Sequence, residues 1–327
     1  MTTGRPAARP GDARPAAQPS ATSWSEVVRL RTLPAAAAPV ILGAGAAWAL
    51  GAFSAPRTLL AAGVALALQI GSNLANDYSD GVRGTDDERT GPPRLTASGQ
   101  VEPRTVKLAA FGCFGAAGLL GLALVALSGQ WWLLAVGLAA VAAAWFYTGG
   151  PRPYGYAGLG EVFVFVFFGL VATAGTAYVQ AGSVPPWLWP AACGIGLIAC
   201  SLLMVNNLRD IRTDPAHGKR TLAVRLGQTR ARGAFVLMIT APLVLGAACL
   251  AWAAGSLNPD RGAGGGLVLG LTVVVFLALN GVMAWRALRP VVGGAQGLAL
   301  IPVLRDTGLL ELAYSLLLVA GLAAVLL

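Results

Sequence analysis

Histidine and charge are both scarce in this chain: of 327 residues one is His, and only 11% are Asp, Glu, Lys or Arg. A lone His217 in a polar loop rules out a multi-histidine metal site or a pair of haem-ligating histidines, and argues against a hydrolytic triad. Cysteine offers no substitute. Cys113, Cys193, Cys200 and Cys249 all lie inside apolar stretches, lack metal-ligand spacing and read as small packed hydrophobes. Long alternating strands are also missing, which excludes an outer-membrane barrel. What is abundant is apolar: 56% of the chain, too much for a water-soluble enzyme. At about 20 apolar residues per crossing this composition fills about nine helical spans. The 43 glycines suit close packing of such helices in lipid. The expected fold is all-α, a polytopic membrane bundle.

Residues 1–25, rich in Pro, Ala, Arg and Ser, bury too little apolar surface to fold and read as a disordered cytosolic tail, without the pattern of a cleaved secretory signal. Residues 26–327 form the transmembrane domain, with predicted spans at 33–50, 58–75, 106–127, 131–147, 162–180, 187–205, 234–254, 265–285 and 309–327. Nine spans put 21 of the 23 Lys and Arg on the N-terminal side and leave Arg57 and Arg261 opposite, so the N-terminus is expected in the cytosol and the C-terminus outside. That topology, with attraction to anionic membrane lipid, accounts for the net charge of +9 without a nucleic-acid partner.

The acidic residues cluster. Asp77, Asp80, Asp86, Asp87 and Glu88 follow the second span, and Asp210 and Asp214 follow the sixth, both on the cytosolic side. Asn73 stands four residues before Asp77 and Asn206 four before Asp210, so each pair shares a helical face that Asp80 and Asp214 continue. The offset between the two stripes is 133 residues for both pairs, which points to a four-helix unit used twice, its copies facing each other across the bundle.

Two carboxylates about 5 Å apart repel by roughly 3 kcal/mol at an effective dielectric near 20, so the cluster calls for a cation. Oxygen donors without His or Cys favour Mg²⁺, which completes its shell with water and substrate phosphates. Lys219 and Arg220, with Arg209, Arg212, Arg83 and Arg94, stand where they can neutralise diphosphate oxygens; the positive-inside bias explains cations there too. Helix capping and loop solvation are the competing account of the aspartates. A diphosphate at the end of an apolar bundle suggests a polyprenyl diphosphate, ionising as the metal stabilises the departing charge, with an electron-rich acceptor capturing the allylic cation. Trp145, Phe146, Tyr147, Tyr154 and Tyr156 either shield that cation or form an interfacial belt. Phe163, Phe165, Phe167 and Phe168 are expected on a lipid-facing or packing surface. Glu161 either orients an acceptor hydroxyl or answers its own helix dipole.

Four segments carry a resemblance: NLANDYSDGVRGTD from Asn73, GPPRLTASGQ from Gly91, YTGGPRPYGYAGLGE from Tyr147 and VNNLRDIRTDPAHGKRTLAVRLG from Val205. Over most of residues 30–327 the chain resembles the UbiA superfamily of intramembrane prenyltransferases, and the VNNLRDI and GKRTLAVRLG portions resemble its 1,4-dihydroxy-2-naphthoate polyprenyltransferase branch. The resemblance implies a nine-span fold with cytosolic caps over a central cavity, in a bacterial plasma membrane. It implies Mg²⁺ and diphosphate at Asp77, Asp80, Asp210 and Asp214. Asp86 is a more peripheral ligand, because five residues separate it from Asp80 where many members space their third Asp more tightly. Asn73, Asn76, Asn206, Asn207, Arg94, Tyr147, Tyr154, Glu161, Lys219 and Arg220 complete the implied substrate-binding set. The implied reaction joins a polyprenyl chain to 1,4-dihydroxy-2-naphthoate with loss of its carboxylate and release of diphosphate, yielding demethylmenaquinone. Other acceptors, such as 4-hydroxybenzoate, haem or a lipid-phosphate phosphoribosyl system, stay open within the superfamily. A transporter using the carboxylates for ion coupling is disfavoured, because both stripes sit at span ends and not at the midplane.

Overall fold

The computed structural model describes residues 32–84, 95–260 and 262–326. The expected tail, Asp86, Asp87, Glu88 and Arg94 lie outside the described residues. All regular structure among the described residues is helical. In chain order the helices are α1 (Leu33–Ala49), α2 (Ala55–Val82), α3 (Pro103–Ser128), α4 (Leu133–Phe146), α5 (Gly160–Ala181), α6 (Leu188–Arg209), α7 (Leu222–Leu257), α8 (Ala263–Val292) and α9 (Ile301–Leu326). Proline stands in the first turn of α1, α2 and α3, where its missing N–H would have had no helical partner and its fixed φ suits helix entry. Seven of these helices are long and apolar enough to cross a membrane, while α1 and α4 are apolar but shorter. Their outward faces carry bare hydrocarbon, with Leu119 and Leu138 72% and 73% exposed. Such surface belongs in lipid, and the chain is a multi-pass membrane protein.

Each predicted span coincides with a helix, but the helices overrun the apolar segments at the polar end of the bundle. α2 continues to Val82, so Asn73, Asp77 and Asp80 lie on one helix as expected, whereas α6 ends at Arg209: Asp210 is its C-cap and Asp214 opens a separate 3-10 turn, so the helical face expected to run from Asn206 to Asp214 stops short of both acids. α7 starts at Leu222 and breaks at Gly227, whose φ of 74° is one that other residues seldom adopt. α5 is composite: its middle, Phe165–Val171, is a π-helical turn between two α-helical ends.

α6 runs through the core, burying Ile195, Ile198 and Met204 among Leu42 of α1, Phe235 and Ile239 of α7 and Tyr314 of α9. Small residues let the backbones approach. At the crossing of α5 and α6, a Cβ on Gly169 would lie 2.5 Å from the Gly196 Cα. The π turn and this crossing fix how the first half of α5 is aimed.

Asp77 is fully buried and its two oxygens accept from the backbone N–H of Leu95, at 3.2 Å, and of Thr96, at 3.0 Å. Thr96 in turn packs on Gly81, where a Cβ would come within 2.6 Å of it. Asp77 therefore clamps the turn at residues 95–99 onto α2.

Gly169→Ala should lower the thermal midpoint in detergent, at a cost of about 1–3 kcal/mol for overpacking, whereas Gly175→Ala on the same helix, with open space around it, should not. A second unfolding series tests the clamp. Asp77→Ala strands two buried N–H groups and should lose about 1–3 kcal/mol, with Asp77→Asn, which keeps an acceptor oxygen, losing less; an Ala variant that melts like the parent would refute it.

Candidate diphosphate and metal site

A cavity of about 970 Å³ opens among α1 to α6. Along most of its length the wall is Ala, Val, Leu and Phe; at the end where α2 and α6 terminate it turns polar. α2 contributes Gln69, Asn73, Asn76 and Asp80, positions that share a face at 100° per residue. Asp77 points about 70° away from the middle of that face and is absent from the lining, which is why its oxygens serve the clamp. α6 contributes Asn206, Asn207, Arg209 and Asp210. The turn after α6 adds Asp214, whose N–H donates to the Asp210 carbonyl at 2.9 Å, and whose own carbonyl accepts from the Lys219 N–H at 3.0 Å. Gly218, at φ 73°, reverses the chain between them and delivers Lys219 to the cavity.

The acids meet cations across this space. The Lys219 Nζ donates to Asp80 Oδ2 at 2.8 Å, linking the loop after α6 to α2, and the Tyr156 hydroxyl donates to Asp80 Oδ1 at 2.7 Å. The Lys219 ammonium also lies 4.9 Å from the centre of the Tyr156 ring. Arg209 forks onto its neighbour, with Nε 2.8 Å from Asp210 Oδ1 and Nη2 2.6 Å from Oδ2. Two more contacts brace the rim: Thr148 donates its hydroxyl to Asn76 Oδ1 at 2.8 Å, and Arg83 donates to the carbonyls of Thr148 and Gly150. Among the described residues no three His, Cys, Asp or Glu side chains are gathered closely enough to hold a metal ion alone. The donors facing the cavity are carboxylates and amide oxygens, a set that fits a hard divalent cation sharing its shell with water and phosphate.

Beyond the polar end, aromatic rings form a continuous wall. Tyr147 meets Tyr154 edge-on at 5.6 Å, Tyr154 stacks on Phe163 at 4.0 Å, and Phe163 on Phe167 at 6.4 Å. Phe163, Phe167 and Phe168 thus line the cavity, a position not expected from sequence, while the expected packing role is met by Phe163 in this ring stack and by Phe165 against Gly196 of α6. The wide π turn redistributes these rings, a shift that a strict 3.6-residue period does not register. Burial pushes the Tyr154 phenol well above its ordinary range, so it stays protonated and donates to the Ala143 carbonyl at 2.8 Å. Glu161 is buried; its Oε1 accepts from the Asn207 amide at 3.3 Å and its carbonyl from the Cys200 thiol at 3.1 Å.

Of the residues singled out from sequence, the structure brings Asn73, Asn76, Asp80, Tyr147, Tyr154, Asn206, Asn207, Asp210, Asp214 and Lys219 to one cavity. Glu161 touches it through Asn207. Arg220 is exposed and outside the lining, its backbone N–H donating to the Tyr156 carbonyl. Tyr156, considered only as an aromatic, is a direct partner of Asp80, a contact that no spacing rule predicts across 76 residues. Arg209 stood with Arg212, Arg83 and Arg94 behind Lys219 and Arg220 and was not among the expected substrate-binding residues; its fork on Asp210 is what sets it apart.

Comparison with known proteins agrees with this geometry. The model of the UbiA prenyltransferase family matches residues 36–292. A 1,4-dihydroxy-2-naphthoate octaprenyltransferase from Mycobacterium tuberculosis is 47% identical over 305 residues, covering 93% of this chain and 98% of the relative. One from Escherichia coli is 43% identical over 235 residues, covering 70% and 75%. Among solved structures, a UbiA homolog from Archaeoglobus fulgidus bound to GPP and Mg²⁺ superposes with a TM-score of 0.64 at 15% identity, over 93% of this chain and 99% of the other. The apo UbiA homolog from Aeropyrum pernix gives 0.61 at 18%, covering 94% and 100%. With the family model spanning most of the helical bundle and the same fold in both archaeal proteins, the chain belongs to the UbiA prenyltransferase family.

Proposed function

We propose that this protein transfers a polyprenyl group from its diphosphate to 1,4-dihydroxy-2-naphthoate, giving demethylmenaquinone. The observation that carries the reading is a single cavity, acidic and cationic at one end and apolar along its length, in a chain 47% identical to a 1,4-dihydroxy-2-naphthoate octaprenyltransferase. The bond from the prenyl C1 to the diphosphate oxygen breaks and diphosphate keeps the electron pair. A carbon–carbon bond forms at the naphthoate position that carries the carboxylate, and that carboxylate leaves as carbon dioxide.

The donor lies with its isoprenoid tail along the apolar wall and its diphosphate at the polar end. Asp80, Asp210 and Asp214, with Asp86, are the proposed ligands of Mg²⁺, which when bound neutralises charge developing on the leaving group. Lys219 and Arg209 supply positive charge beside those carboxylates. Asn73, Asn76 and Asn206 offer amide groups to the diphosphate or its metal shell. The Tyr147, Tyr154, Phe163 and Phe167 wall keeps water from the prenyl carbon and presents π faces to its developing charge. Glu161 and Asn207, joined to each other, orient the acceptor's hydroxyl groups. In this reading α1 and α4 also cross the bilayer, making nine spans built from two related four-helix units. The N-terminus is in the cytosol of a bacterium, the C-terminus is outside, and Arg57 sits at the outer end, donating to the carbonyls of Gln180 and Leu127.

Asp210→Ala is a poor probe of the chemistry, because it abandons a guanidinium that is 2% exposed and adds a folding cost. Asp80→Asn and Asp214→Asn are cleaner, and each should lower turnover about 100-fold or more while the helical circular dichroism is kept; near-normal activity in both would end the two-motif reading. The acceptor is tested by product mass. Purified protein given a polyprenyl diphosphate, Mg²⁺ and either 1,4-dihydroxy-2-naphthoate or 4-hydroxybenzoate should prenylate the naphthoate, and prenylation of the benzoate alone would reassign the substrate.

A further inference from the structure

Two acids that line the cavity from different helices already hold cations. Asp80 on α2 takes the Lys219 ammonium at 2.8 Å, and Asp210 at the end of α6 takes the Arg209 guanidinium through both oxygens, at 2.8 and 2.6 Å. These are inward-facing pairs: the side chains of Arg209 and Lys219 are 2% and 16% exposed, and both residues line the cavity that their partners line. The bidentate fork on Asp210 occupies the carboxylate edge that a divalent cation would otherwise use most readily. Any ion approaching either acid also meets a fixed positive charge within one side-chain length.

We propose that Arg209 and Lys219 are exchangeable counter-ions, paired to Asp210 and Asp80 in the ligand-free protein and handed to diphosphate oxygens when the donor arrives, which frees the carboxylates for the divalent ion. The inference rests on the reading of this cavity as a diphosphate site. The chemistry of the side chains allows the exchange. Guanidinium and ammonium groups donate to phosphate oxygens as well as to carboxylates, and Lys219 follows a glycine-hinged turn on a long flexible stem. Arg209 has less freedom, being on the last turn of α6, but rotation about its side chain alone moves its fork off Asp210. Diphosphate brings the negative charge that takes over the two cations, and Asp80 and Asp210, relieved of those positive charges, then attract the metal. Metal and diphosphate therefore bind with positive coupling, each poorly without the other, and coupling between ligands at such sites is reciprocal.

The sign of one effect separates this device from a plain diphosphate contact. If Lys219 only touched diphosphate, removing its charge would leave binding of the metal alone unchanged. If it only braced the fold, removal would weaken every ligand. Under exchange, Lys219→Gln tightens Mg²⁺ binding in the absence of diphosphate by about fivefold or more and weakens metal-free binding of inorganic pyrophosphate by a similar factor. Arg209→Gln should do the same.

The test is calorimetric titration of the full chain in lipid nanodiscs. Mg²⁺ is added to one sample without pyrophosphate, and inorganic pyrophosphate to another held in chelator, for the parent and for Lys219→Gln, Lys219→Arg and Arg209→Gln. The expected result is opposite movement of the two dissociation constants in both Gln variants, with parental values in Lys219→Arg. If Arg209→Gln fails to fold because it takes the guanidinium from the buried Asp210, the Lys219 pair decides by itself. Unchanged or weakened Mg²⁺ binding in Lys219→Gln, with a parent that binds both ligands, overturns the exchange and leaves the site reading standing. A parent that binds neither ligand, alone or together, removes the site reading and the exchange with it.

Discussion

A carboxylate placed at the end of an apolar bundle loses much of its hydration and must recover it from hydrogen bonds or a cation, and that requirement organises this molecule. Asp77 meets it with two backbone N–H groups, Asp80 with Lys219 and Tyr156, and Asp210 with Arg209. Asp77 draws in the turn after residue 94 and Asp80 both the segment between α4 and α5 and the loop after α6, while Asp210 is answered by its own neighbour at the end of α6. The polar end of the cavity is assembled by charge compensation. The rest of the bundle is assembled by close packing, with glycines such as Gly169 and Gly196 where backbones touch.

That division explains how one cavity handles a substrate with opposite ends. The apolar stretch asks nothing of its lining except shape and dryness, so alanine, valine and leucine suffice. The charged end needs groups held in place before the substrate arrives, and the hydrogen bonds of Thr148 to Asn76 and Arg83 to the neighbouring carbonyls hold them. The aromatic wall of Tyr147, Tyr154, Phe163 and Phe167 lines the same cavity.

Hydropathy was sufficient to find every helix, because a run of about 20 apolar residues has few alternatives in a membrane chain. The ends were less legible, since α2 and α6 stay helical through polar residues that hydropathy treats as loop. Motif reading singled out Asp80, Asp210, Asp214 and Lys219, which line one cavity, but helical spacing alone could not separate Asp80 from Asp77, which does not. Both fall near Asn73 on a helical wheel, and only the partner across 18 residues, Leu95, shows which way Asp77 points. That Phe163 and Phe167 line the cavity was not expected, because the π turn that follows Phe163 changes the period within α5 and nothing in their hydropathy marks it. The pairing of Tyr156 with Asp80 is a tertiary contact and left no local trace.

The brevity of α4 carries its own consequence. Its 14 residues rise about 21 Å, well under the roughly 30 Å of a typical hydrocarbon layer, whereas the 30 residues of α8 reach about 45 Å. Where α4 spans the bilayer, as the proposed nine-span topology has it, the lipid beside it thins or its headgroups dip, just where the cavity wall includes that helix. That flank is then the one on which the aqueous boundary comes nearest to the greasy part of the chamber.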